Sequence, residues 1–321
     1  MIRVYKFQKG GVKTGSLNDL GNSSKCWTEC INPTPKELKE ISEKAKISLP
    51  ALKECLDKEE RPKVMDLENY SLIIVKAPLI IRNVIKTTPV SIFISKHKNN
   101  VITIALKEIT SINKIKQNIE EKKINLEKDS LSYFTYRLLD EIFNTYFSIL
   151  DVLEERIDKI EDMVIKRHDK MSAHDIFLVK KTLIFFHKAL IANREVVAAI
   201  EKEYVAHIDK QNVKRFRTLY EDATQLIDME GTYRDILTGT LEIYLSSVSN
   251  NLNQVMKTLT IVASFVLIPT LISGIYGMNF NMNSPFNMPE LGWAYGYFFA
   301  LGLMGLSTLF TYVYFRRKGW M

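Results

Sequence analysis

In the first part of this 321-residue chain, hydrophobic and polar residues follow the pattern of β-strands, and in the rest they follow the period of α-helices. Up to about residue 125, apolar residues alternate with polar ones or form short β-branched runs, which is typical of strands. Two short helices are indicated there, one starting at Thr34-Pro35 and one over Leu49 to Asp57. The predicted strands are Met1 to Phe7, Ser71 to Ala77, Val90 to Ser95 and Val101 to Leu106, with a hairpin turn at Lys98 to Asn100. Residues 1–126 are therefore expected to form a mixed α/β domain.

From Ser130 onward the apolar residues recur at helical spacing. We predict helices over Leu131 to about Met171, Ala173 to about Tyr204, and from Asn212 onward. No strong helix breaker stands between Gly231 and Pro269, so the third helix is predicted to continue to Tyr276, at a length of ~100 Å. Residues 127–257 are thus expected to form a helical stalk. Amphipathic helices of this length need partners, which favours oligomerisation.

The C-terminal part of the chain is almost free of charge. Between Lys257 and Arg316 the single charged side chain is Glu290. This stretch is long enough for two membrane crossings of about 20 residues each, which is a better explanation than two buried core helices. We predict spans at residues 258–276 and 293–315, joined by a loop at 277–292 and followed by a basic tail at 316–321. The loop has no Lys or Arg, so by the positive-inside rule it is external and both termini are cytoplasmic. The expected fold class is α+β with two C-terminal transmembrane helices in the cell membrane.

The distribution of the charged residues and the cysteines argues against nucleic acid binding and against a structural zinc site. The net charge is +7, but basic residues interleave with acids along the helices, so we expect no nucleic acid partner. Three cysteines suit a reducing cytoplasm, and the Cys26-x-x-x-Cys30 spacing does not match a zinc site. The five histidines show no paired metal-ligand spacing.

One face of the first predicted span carries small, flexible apolar or uncharged polar residues. It contains Asn253, Met256, Leu259, Ala263, Leu267, Thr270, Gly274 and Gly277. Such a face is common at helix–helix contacts, and it also suits the lining of a pore with apolar rings that gate by dewetting. Periodicity alone leaves both interpretations open.

The chain reads Tyr276-Gly277-Met278-Asn279 at the external end of that span, and here it resembles the CorA family of magnesium channels. The resemblance extends over about the last 80 residues. It includes Tyr244 to Asn250, Asn253 to Lys257, Leu259-Thr260, Met288 to Leu291, Trp293, Gly296-Tyr297 and Phe315 to Trp320. Two departures stand out: Pro269 leaves the register of the pore near Leu267 and Thr270 open, and the external loop has extra residues at 281–287.

The resemblance implies a funnel-shaped homopentamer in a lipid bilayer that conducts Mg²⁺, with Co²⁺ and Ni²⁺ as further candidate cations. It implies that a ring of Asn279, shaped by Gly277 and Met278, selects the ion. It further implies a polar ring at Asn253, a constriction at Met256, Leu259, Ala263 and Leu267, and another polar ring at Thr270. Since Mg²⁺ sheds its water reluctantly, amide oxygens that bind the hydrated ion would pass it faster than carboxylates would.

Three acidic residues are candidates for other roles. Family members are closed by cytoplasmic Mg²⁺ bound between subunits, for which Glu221 and Asp222 are candidate ligands, although a solvated helix face explains them as well. Glu290 in the loop either raises the local cation concentration or is an ordinary solvated acid.

Other functions remain open at this stage. A zinc transporter related to ZntB shares the fold, but those relatives usually replace the Met of the signature. A non-conducting, membrane-anchored scaffold or sensor is a second alternative. An enzyme is least favoured, because the sequence has no P-loop, HExxH motif or nucleophile elbow. The membrane potential, worth about 2.3 kcal/mol per charge per 100 mV, is expected to drive entry.

Overall fold

A computed structural model describes residues 1–8, 11–21, 25–81, 84–97, 99–124, 129–166, 173–202, 205, 208, 210–280 and 286–320. They form two compact units, Met1–Leu241 and Glu242–Met321. The strands are β1 (Ile2–Gln8), β2 (Gly11–Gly15), β3 (Cys26–Ile31), β4 (Lys63–Asp66), β5 (Tyr70–Ile81), β6 (Val84–Ser95) and β7 (Asn100–Ala105). The α-helices are α1 (Pro35–Ala45), α2 (Leu49–Glu54), α3 (Thr110–Glu120), α4 (Leu131–Lys166), α5 (Ala173–Glu201), α6 (Lys210–Tyr276) and α7 (Gly296–Arg317). Two 3₁₀-helices span Leu17–Gly21 and Pro289–Gly292.

The first unit is built on one seven-stranded mixed sheet in the order β2-β1-β3-β7-β6-β5-β4. Neighbouring strands are antiparallel except β3 and β7, which are parallel. The four predicted strands and the β6–β7 hairpin are confirmed, although Lys98 of the predicted turn lies outside the described residues. Strands β2, β3 and β4 and helix α3 were not predicted.

Helices cover the sheet on both faces. Helices α1 and α2 bury Leu38, Ile41 and Leu52 against sheet residues such as Phe93 and Ile104. Helix α1 begins as the sequence predicts, because Thr34 caps it and forms a capping box with Glu37. On the opposite face, Trp27 donates a hydrogen bond to Thr103 Oγ1 at 3.1 Å and packs edge-on against Phe134 of α4.

Helix α6 is the longest element, a single helix of 67 residues that contributes to both units. This confirms the prediction that the third helix continues to Tyr276. Pro269 lies inside it and cannot donate a backbone hydrogen bond to the preceding turn. The end of α6 and the whole of α7 are long and apolar enough to cross a membrane. Their apolar side chains are exposed, Leu267 by 66% and Phe310 by 74%, as lipid or neighbouring subunits would require.

Candidate ion pathway

Helix α6 presents two different faces in the second unit. Half-buried residues recur every three or four positions, at Ile261, Ser264, Phe265, Ile268 and Ile272. This face lies beside α7, since the ring of Phe265 is 6.4 Å from that of Phe315. The face is therefore taken up by the partner helix of the same chain.

Most of the residues predicted to line a pore lie on the other face of α6. Because a helix turns by about 100° per residue, positions 256, 259, 263, 267, 270 and 274 lie roughly 100–180° from Ile268 around the helix, whereas Asn253 lies only about 60° from it. All of them, and Asn253, are exposed. A shallow groove runs along this face and is lined by Ala263, Val266, Leu267, Thr270, Leu271, Gly274, Ile275 and Met278. The chain thus leaves this face free to meet further subunits or ions.

Hydroxyl groups on α6 are already bonded to their own helix. Thr270 Oγ1 donates to the carbonyl of Val266 at 2.7 Å, and Thr260 Oγ1 donates to that of Met256 at 2.8 Å. A hydroxyl that has donated its proton still offers lone pairs. Thr270 is consequently oriented as an acceptor, which suits the waters of a hydrated cation.

The Gly277-Met278-Asn279 segment follows directly on the last turn of α6. The N–H of Gly277 donates to the carbonyl of Ser273 at 2.9 Å, and that of Met278 donates to Ile275 at 3.2 Å. A Cβ at position 277 would lie 3.3 Å from the Ser273 carbonyl oxygen, so glycine lets the chain turn closely here. Asn279 is exposed, and within the described residues its amide has no hydrogen-bond partner. The amide is therefore free to bind a solute.

Glu290 is held close to the motif rather than projecting into solvent. The hydroxyl of Tyr276 donates to Glu290 Oε1 at 3.1 Å, across 14 residues of chain. This contact could not be predicted from the sequence, because nothing in the local pattern pairs the helix end with the loop. Gly296 supports the same turn, since a Cβ there would lie 2.2 Å from the carbonyl oxygen of Glu290. The carboxylate of Glu290 thus stands beside the motif as a fixed negative charge.

The other end of the second unit carries a basic and aromatic cluster. Lys257 Nζ donates to the carbonyl of Gly319 at 3.1 Å and lies 5.8 Å from the centre of the Trp320 ring. Trp320 stacks on Phe315, and Arg316 donates to the hydroxyl of Tyr312. Amphipathic rings and cations of this kind are typical of a membrane interface.

The acids proposed as regulatory ligands have different surroundings. Glu221 is exposed and pairs with Arg217 at 3.6 Å. Asp222 is half-buried, and its pKa is raised by burial and by the charges of Asp140 and Glu221. The described residues contain no group of three or more His, Cys, Asp or Glu side chains placed to hold a metal ion.

The chain is similar to known proteins over its whole length. The family model of CorA-like Mg²⁺ transporter proteins matches residues 22–317. The cobalt/magnesium transport protein CorA of Methanocaldococcus jannaschii is 36% identical over 326 residues, covering the whole of both chains. That of Thermotoga maritima is 33% identical over 270 residues, which are 84% of this chain and 76% of that protein. The complete structure of the M. jannaschii CorA magnesium transporter matches with a TM-score of 0.88 at 32% identity, over 100% of this chain and 99% of that one. The chain belongs to the family of CorA-like Mg²⁺ transporter proteins.

Proposed function

We propose that this protein conducts hydrated Mg²⁺ into the cytoplasm, with Co²⁺ and Ni²⁺ as further substrates, down the membrane potential. The observation that carries the proposal is the exposed amide of Asn279, which has no hydrogen-bond partner among the described residues and lies at the end of an uncharged helix face, in a chain of this family. Each charge gains about 2.3 kcal/mol per 100 mV, so a dication needs no other energy source.

The proposed pathway is formed by five copies of α6. Asn279 forms the outer ring, Thr270 and Asn253 form polar rings, and Met256, Leu259, Ala263 and Leu267 form the constriction between them. Support comes from the exposure of every one of these side chains in the single chain. Apolar rings exclude ions when they dewet, so the constriction is the proposed gate.

The chemistry of the outer ring follows from the properties of Mg²⁺. The ion keeps several waters in near-octahedral geometry, so a fast pathway recognises the hydrated form. Amide oxygens accept hydrogen bonds from these waters without a full negative charge. Glu290, fixed by Tyr276 near the motif, would raise the local concentration of cations before they reach the ring.

Regulation by cytoplasmic Mg²⁺ is a separate part of the proposal. Asp222 is the stronger candidate ligand, because the neighbouring charge of Asp140 makes a bound cation favourable there. Glu221 already has Arg217 as a partner.

Mg²⁺ uptake into proteoliposomes at an inside-negative potential tests the function. The wild type should show saturable uptake, and Asn279→Ala should reduce it by about tenfold or more, because the waters of the ion lose their acceptors at the ring. Asn251→Ala is the matched control, since it removes an exposed amide from α6 away from the predicted stripe. Equal uptake by wild type and Asn279→Ala would show that the proposed Asn279 ring does not contribute to conduction.

Two further experiments distinguish the proposed function from the alternative functions. Asn279→Asp should slow Mg²⁺ flux and strengthen block by the ion, because a ring of carboxylates holds a dication too firmly. In a parallel series of uptake measurements, Zn²⁺ replaces Mg²⁺. A protein that conducts Zn²⁺ but not Mg²⁺ would favour the zinc transporter related to ZntB. No flux of any ion by a folded wild-type protein would support the anchored scaffold or sensor instead.

A further inference from the structure

A cleft in the first unit is lined by an unusual number of lysines. It lies between the strand ends of the β5–β6 hairpin, the segment after α2 and the first half of α5, and its volume is about 360 Å³. Its lining comprises Lys58, Glu59, Lys76, Val84, Ile85, Lys86, Thr87, Leu178, Lys181, Thr182 and Phe185. Four lysines and one glutamate therefore line one concave space, whose size suits a small ligand.

The four lysines of the cleft, Lys58, Lys76, Lys86 and Lys181, form no salt bridge with any of the described residues. Lys76 Nζ donates to the backbone carbonyl of Lys58 at 3.0 Å, which fixes the Lys76 side chain against the segment after α2. Burial lowers the pKa of Lys76, although the charges of Glu59, Asp57 and Glu60 oppose this. An anion in the cleft would supply the missing partner.

Lys76 is held in place by the fold. Its backbone N–H donates to Asn193 Oδ1 at 2.8 Å, and its carbonyl accepts from Asn193 Nδ2 at 2.8 Å and from the hydroxyl of Tyr146 at 2.9 Å. The wall that carries this lysine is thus fixed before any ligand arrives, which lowers the entropy cost of binding.

Apolar side chains line the cleft beside the lysines, on α5 and on β6. Phe185 is 44% exposed, Leu178 39% and Val84 51%. A large part of each of these apolar side chains is therefore not packed against the core. A flat ring placed on Phe185 would gain stacking and apolar burial. The cleft therefore combines sites for phosphate groups with a surface for an aromatic base.

We propose that this cleft binds a nucleoside triphosphate, with Lys76, Lys86 and Lys181 at the phosphates and Phe185 and Leu178 at the nucleoside. The chain lacks a Gly-rich phosphate loop, so lysine side chains alone would hold the phosphates. No hydrolysis is implied; the nucleotide acts as a ligand of the first unit, and its binding does not depend on ion conduction.

The test is calorimetric titration of ATP, tripolyphosphate and AMP into the full-length protein in detergent, with EDTA to remove Mg²⁺. ATP should bind saturably at one site per chain and more tightly than either of the other two. The double variant Lys86→Gln/Lys181→Gln should bind ATP about tenfold more weakly, which corresponds to about 1.4 kcal/mol. Glu59→Gln should bind it more tightly, because Glu59 is the one carboxylate among the described residues that line the cleft.

Lys188→Gln is the matched control, since it removes an exposed lysine of the same helix outside the cleft. Equal affinity of the double variant and this control would overturn the proposal. So would the absence of saturable binding, as expected if a second copy of the chain covers the cleft. Tripolyphosphate that binds as tightly as ATP would overturn the role of Phe185 and leave a site for inorganic phosphates. These binding measurements do not depend on the Mg²⁺ flux of Asn279→Ala. The nucleotide-binding proposal and the proposed function can therefore fail independently of each other.

Discussion

Two carboxylates, Asp222 on α6 and Asp140 on α4, are placed to make the stability of the protein depend on pH. Burial raises the pKa of Asp222, and the charges of Asp140 and Glu221 raise it further. Burial raises the pKa of Asp140 as well, against the charge of Arg137. A carboxyl group whose pKa is higher in the native than in the unfolded state binds its proton more tightly when folded. Its contribution is therefore fully present below the unfolded pKa and is lost as the pH rises through the native pKa.

We predict that Asp222→Asn is more stable than the wild type at pH 7, with a melting temperature higher by about 1–2 °C. Asparagine removes the repulsion with Asp140, and the difference should vanish below about pH 4, where Asp222 is protonated in both states. Thermal unfolding of the full-length protein between pH 4 and pH 8, without divalent cations, measures this. Asp228→Asn, an exposed acid on the same helix, should change little. A variant less stable than the wild type at pH 7 would contradict the prediction.

The same variant tests the regulatory proposal. If Mg²⁺ binds at Asp222, the ion should raise the melting temperature of the wild type more than that of Asp222→Asn, because a ligand that binds the native state stabilises it. An equal rise in both proteins would place the regulatory ion elsewhere.

At the scale of elements, one side chain joins helix α5 to the sheet. Strand β4 pairs with β5 only as far as Ile74, so the next outward-facing backbone groups of β5, those of Lys76, have no strand partner. The amide of Asn193 takes the place of the missing strand by bonding both the N–H and the carbonyl of Lys76. Asn193 is fully buried, so water cannot replace it.

We therefore expect Asn193→Ala to destabilise the protein by about 2–4 kcal/mol, because it leaves the N–H of Lys76 without a partner and removes one of the two hydrogen bonds to its carbonyl, the other coming from Tyr146. Thermal or denaturant unfolding of the full-length protein measures the loss. Asn144→Ala is the control, since this asparagine is exposed on α4 and alanine favours helices. A loss below about 0.5 kcal/mol for Asn193→Ala would show that water or a rearranged side chain satisfies the strand edge.

At the scale of the whole molecule, the arrangement across the membrane is the feature to test. The native cysteines should react little with a thiol label, because Cys26, Cys30 and Cys55 are all buried. Burial raises the pKa of Cys26 and Cys55 to about 11 and that of Cys30 to about 12, so none carries an appreciable thiolate at neutral pH.

We predict that Phe286→Cys reacts with a membrane-impermeant maleimide in intact cells, whereas Lys318→Cys reacts only after the membrane is opened. Phe286 lies in the proposed external loop and is 92% exposed, and Lys318 lies in the proposed cytoplasmic tail. The cysteine-containing wild type is the control and should remain unlabelled. Labelling of Lys318→Cys in intact cells would reverse the proposed orientation. Native mass spectrometry of the same samples counts the chains, for which we expect five.

Much of the fold could be predicted from local patterns. The long helix, the β6–β7 hairpin and the two apolar helices all rest on periodicity or on an uninterrupted apolar run within one segment. Strand β3 was missed because both of its faces are buried, so Cys26–Ile31 shows no alternation, and its neighbour β7 lies more than 70 residues away. Strand β4 is only four residues long and is defined by its pairing with β5.

The sequence by itself determined the apolar helices, the Gly277-Met278-Asn279 motif and the family, because each depends on residues that are adjacent or one helical turn apart. The tertiary structure alone decided which face of α6 the partner helix leaves free, that Tyr276 bonds Glu290, and that Asn193 bonds a strand 117 residues away. It also brought the four lysines of the cleft together from separate segments. Such contacts depend on how distant segments pack, and no local period records that packing.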